Sequence, residues 1–120
     1  MGTVPVAAVS QCISARRSDP EEAKIAAVGR RALMVMAGVD EQLQKSDAFD
    51  TANFIRNEAL NCFPGQEQKA LPLKIAEWMR RAVCREAASG LPDYVFNKVN
   101  IQDVNQVSRY LGNPERLDCQ

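Results

Sequence analysis

Histidine is absent from the sequence. The commonest general base and the commonest metal ligand are therefore missing. Four cysteines, Cys12, Cys62, Cys84 and Cys119, stand far apart, with no Cys-x-x-Cys spacing. A mixed Cys/His zinc site is excluded, and a four-cysteine site would need four distant single ligands. No apolar run is long enough to span a bilayer. There is no Gly-rich phosphate loop, no nucleophile beside a base and no pair of carboxylates on one inner helical face. Neither sign of charge is in excess, with 15 basic and 15 acidic side chains. That balance weighs against a dedicated DNA-binding module. The sequence names no catalytic residue, no cofactor and no metal.

What is present is ordinary globular material. A hydrophobic content of 46% and a charged content of 25% suit a single folded domain of 120 residues with its own core. Charge polarity along the chain is mild: +2 over residues 1–18, −3 over 19–63, +2 over 64–90 and −1 over 91–120. Four cysteines permit two disulfides, but residues 2–9 do not form a secretory signal. Reduced thiols in the cytoplasm are therefore expected, with Cys62 and Cys84 as small core residues.

Helical periodicity dominates. Asp19, Pro20 and Glu22 read as a helix start, with Asp19 as cap and Pro20 at the first helical position. On the following helix Ile25, Val28, Ala32, Val35, Met36, Val39 and Leu43 share one face, with Gly38 as a weak point. Ser46 and Asp47 offer the next cap. Phe49, Ala52, Ile55, Ala59 and Phe63 form the inner face of a second helix that Pro64-Gly65 stops. Pro72 can open a third helix with Leu71, Ile75, Met79, Ala82 and Val83 inside, ending at Gly90-Leu91-Pro92. Residues 93–99 read as one helical turn or a short extended piece. Asn100, with Asp103 three residues on, caps a fourth helix whose inner face is Ile101, Val104, Val107 and Leu111. Short linkers and narrow stripes predict an all-α bundle of about four helices over residues 18–112. Residues 1–17 are expected to form a loosely structured arm, and 113–120 a frayed tail.

Candidate binding residues lie off these stripes. Lys74, Trp78, Arg81 and Arg85 fall in a narrow arc of the third helix, where an indole flanked by cations could meet an acidic partner or a base. Alternatively, Trp78 plugs the edge of the core while the basic stems cover it. Met34 and Phe54 lie opposite the inner faces of their helices, so they either pack on another part of the chain or form an exposed contact patch. Ala23, Ala27 and Gly38 near Met34 would permit close helix approach. Glu86 projects toward the apolar side of the third helix but lies in its last turns, where side chains reach water, so exposure is expected; Arg56 either pairs with it or snorkels. Gln102, Asn105, Gln106 and Arg109 lie on the outer side of the last helix and are of types that read base edges. The expectation is a soluble, non-membrane, non-catalytic module that binds another protein or a second copy of itself. The alternative is a nucleic-acid-binding regulator using the third-helix patch and the last helix.

Overall fold

The computed structural model describes residues 20–38, 46–63 and 70–120. Among them the chain forms five helices and no strand: α1 (Glu21–Ala37), α2 (Ala48–Cys62), α3 (Ala70–Val83), α4 (Asp93–Phe96) and α5 (Ile101–Tyr110). The expected small all-α bundle is what forms. α1 packs against α3 and α2, and α5 closes the other side against α2 and α3. No helix among the described residues is long and apolar enough to cross a membrane.

The caps follow their residues. Asp47 accepts the Asp50 N–H at 2.8 Å, satisfying one of the free donors at the start of α2. Asn100 and Asp103 form a reciprocal capping box on α5. α1 differs: Pro20 sits at the N-cap rather than the first helical position, with no side-chain cap bond. Its other end is Gly38 in the left-handed region, its N–H turned back to the carbonyls of Met34 and Val35. Val39 and Leu43 lie outside the described residues, as do Cys12, Asp19 and the expected arm 1–17.

The core takes Val28, Ala32 and Leu33 from α1, Ile55 and Ala59 from α2, Ile75 and Met79 from α3, and Val104 and Val107 from α5, all fully buried. At roughly 1.5–3 kcal/mol per large apolar side chain, this burial drives the assembly. The inner face of α1 is rotated from the periodic expectation. Gly29, Leu33 and Ala37 are buried, whereas Val35 is only half-buried. Phe49, expected inside, is 53% exposed and sits edge-to-face on Tyr110 at 5.4 Å.

α3 ends at Val83, well before Gly90. The Arg85 N–H returns to the Ala82 carbonyl (3.1 Å) and the Glu86 N–H to the Arg81 carbonyl (2.8 Å), the paired closure of a Schellman motif. Arg85 occupies the left-handed position, φ 61°. The break brings Arg80 and Glu86 together as an ion pair at 2.9 Å, since residues six apart lie about 240° around a continuous helix and would not meet.

The thiols among the described residues are oxidised, which corrects the expected reduced state. Cys84 and Cys119 are joined, with their Cα atoms 5.3 Å apart, and Cys62 is disulfide-bonded as well. The tail is pinned rather than frayed. Asn105 receives the Leu117 N–H at 2.6 Å and donates to the Leu117 carbonyl at 2.7 Å, while Leu117 packs on the edge of the core.

Candidate functional site

The third-helix patch lies in an open groove of about 470 Å³ between α1 and α3. Its apolar surface comes from Ala23, Ile25 and Ala26 on α1 and Trp78 on α3. Glu22, Lys74, Glu77 and Arg81 line it with charge. Trp78 is half-buried and packed against the core edge. A Cβ built on Gly29 would overlap its indole carbon Cε3, so the missing side chain at Gly29 is what admits the ring. Trp78 thus does plug the core edge, while it also lines the groove.

The cations around it are unequal. The Lys74 ammonium pairs with Glu21 at 3.2 Å, both largely exposed, and an exposed pair of this kind contributes little to stability. Arg81 is exposed on the groove rim. Arg85 does not belong to this site. Past the end of α3 it stacks over the Phe96 ring at 4.2 Å, beside the 84–92 loop that Arg30 holds through a bond to the Ser89 carbonyl.

The remaining sequence candidates are dispersed. Met34 is half-buried near the far end of α1, eight residues beyond Ala26. Phe54 packs on the edge of the core rather than standing free. Asn105 is committed to the backbone of Leu117 by its two hydrogen bonds. Its neighbours Gln102, Gln106 and Arg109 remain exposed. Arg56 does not meet Glu86: it bonds Asn53 at 3.3 Å and the Tyr110 carbonyl.

Three charged side chains that periodicity did not single out are buried: Lys24, Glu58 and Arg80. Lys24 donates to the Cys62 carbonyl at 2.8 Å and lies over the Phe63 ring at 4.7 Å. A cation at the end of α2 opposes the negative pole of that helix. Arg80 is held by Glu77 at 2.8 Å and Glu86 at 2.9 Å, and it donates to the Asp118 carbonyl at 3.0 Å. These partners raise the Arg80 pKa further above its ordinary value. The Arg80 bonds and the N–H of Gln120 hold the Glu86 carboxyl below its usual range. This hub joins α3 to the tail and belongs to the architecture of the bundle. Its signal in sequence was only the spacing of Glu77, Arg80 and Glu86.

A second cavity, of about 290 Å³, lies beside the starts of α2 and α5. Asp47 and the Asn100–Asp103 box already occupy N–H donors there. The α1–α3 groove differs from it in being larger and in presenting an aromatic ring, Trp78.

Compared with protein-family models, curated proteins and solved structures, the chain matches none.

Proposed function

We propose that this chain is a protein-binding helical module that acts without catalysis, and that the α1–α3 groove is its contact surface. One observation carries the reading: half-buried Trp78 sits beside Ala23, Ile25 and Ala26 in an open groove with Lys74, Glu77 and Arg81 at its rim. An aromatic anchor within a polar rim is the usual anatomy of an interaction hot spot. The occupant is another protein or a second copy of the chain. The groove falls on α1 and α3 rather than on a face built around Met34 or Phe54.

The oxidised cysteines support an oxidising compartment as the site of action, in place of the cytoplasm. Nucleic-acid binding is the weaker reading, because Lys74 is paired with Glu21 and Asn105 is taken by the tail.

Light scattering after size-exclusion chromatography, with Trp78 emission followed over a concentration series, tests the groove for self-association. Because Trp78 is the only tryptophan, its emission reports this site alone. Cross-linking in the source material tests for a different protein. Ala26→Arg, which fills the groove without touching the core, is expected to abolish the complex. A complex formed equally well by Ala26→Arg overturns the groove as the contact surface.

A further inference from the structure

Residues 113–120 cross α3 and α5 as a strap with one covalent anchor and few others. Its non-covalent hold is the Asn105–Leu117 pair of bonds, the Arg80 bond to the Asp118 carbonyl and the Gln120 N–H on Glu86 at 3.2 Å, while Asn113 at its root donates to the Ser108 carbonyl and hydroxyl, both at 3.1 Å. Leu117 is half-buried, while Pro114, Glu115, Arg116 and Asp118 are exposed. The Gln120 bond is exposed and the other side-chain bonds are part-buried, and each contributes only modestly once the water bonds it replaces are counted. The covalent anchor is Cys84–Cys119, and its Cys119 end is exposed. Cys62, by contrast, is fully buried. Thiol–disulfide exchange requires access for the attacking thiolate, so a thiolate from solvent reaches Cys119 directly but does not reach the sulfur of Cys62.

We propose that Cys84–Cys119 is a thiol-addressable latch: a dithiol reductant opens it in the folded protein, and strap 113–120 then leaves α3 and α5, uncovering Arg80 and Asn105. One thiolate of the dithiol attacks Sγ of Cys119, forming a mixed disulfide, and Cys84 departs as a thiolate that takes up a proton. The second thiol of the reductant then displaces Cys119. The dithiol is oxidised to its own disulfide, and two electrons and two protons pass to Cys84 and Cys119. The uncovered guanidinium of Arg80 and amide of Asn105 are groups that now read strap backbone, so the open state presents a polar face that the closed state lacks. The latch stands whether or not the α1–α3 groove binds a partner.

The test is titration of the full chain with dithiothreitol in native buffer, with free thiols alkylated and mapped at each step. Far-UV circular dichroism, amide exchange at Leu117 and tryptic cleavage after Arg116 are followed in parallel. Expected is joint alkylation of Cys84 and Cys119 while Cys62 stays unmodified and the helical signal is retained. Leu117 exchange should then rise by about tenfold or more, with faster cleavage after Arg116. The Cys84→Ser/Cys119→Ser variant should show the same fast exchange without reductant. Alkylation of Cys62 in step with Cys84 and Cys119, together with loss of helix, overturns the proposal. A Leu117 amide that stays protected after reduction, or in the double variant, overturns it equally.

Discussion

The indole of Trp78 occupies the space that a side chain on Gly29 would fill. This close approach leaves the tryptophan lining the groove. It gives a substitution whose sign separates packing from propensity. Alanine is about 1 kcal/mol better than glycine inside a helix. Gly29→Ala should nevertheless destabilise the fold, because the new methyl forces the ring to shift and overpacking typically costs about 1–3 kcal/mol. Urea unfolding gives the sign, and Trp78 emission should move to longer wavelength. An increase in stability would mean that the indole is free to swing away.

Arg85 holds a left-handed conformation at φ 61°, a position that suits glycine. Its stacking on Phe96 is worth about 0.5–1 kcal/mol at an exposed site, and the left-handed backbone costs about 1–2 kcal/mol. The backbone cost is the larger of the two. Arg85→Gly is expected to leave the unfolding midpoint unchanged or slightly raised, whereas Arg85→Val should lower it, since a β-branched residue resists this conformation. Equal midpoints for the two variants would refute the strained-cap account.

The Cys84–Cys119 bond closes a segment with a sequence separation of 35. In the chain-entropy model such a link restricts the unfolded chain by roughly 3–4 kcal/mol. The Cys84→Ser/Cys119→Ser variant should lose stability of that order in denaturant titration while keeping its helical spectrum. A loss below about 1 kcal/mol would mean that the oxidised and open chains unfold from similar ensembles.

Acid should weaken the strap. The Glu86 carboxyl is held below its ordinary value near 4.5, first by Arg80 and then by the Gln120 N–H. A carboxyl with a depressed folded-state pKa adds stability above its unfolded pKa and loses it as pH falls through the folded value. The stability difference between the parent and Glu86→Gln is therefore expected to be full near neutral pH and to shrink as pH falls below about 4.5. Equilibrium unfolding of both proteins across that range checks it, and a pH-independent difference would exclude the linkage.

The capping box on α5 gives a local prediction. Asn100→Ala removes the acceptor for the Asp103 N–H and should cost about 1 kcal/mol. Thermal melts measure the loss. No change would show that water replaces the cap at no cost.

The sequence by itself determined the presence of the helices and several of their ends. Periodic stripes need only local spacing, and the Asp47 and Asn100 caps satisfy N–H groups three residues away. Ile55, Ile75, Met79, Val104 and Val107 were legible as core for the same reason. Tertiary structure decided the rest. The tail is pinned by Asn105 and Cys84 across 12 and 35 residues. Trp78 lines a groove because a glycine on another helix makes room for it. Phe49, apolar and in phase with the core stripe, lies outside on Tyr110, a contact that only the packing of α5 beside α2 provides. Periodicity reports which face of a helix is apolar, but it carries no information about which distant side chain fills the space opposite.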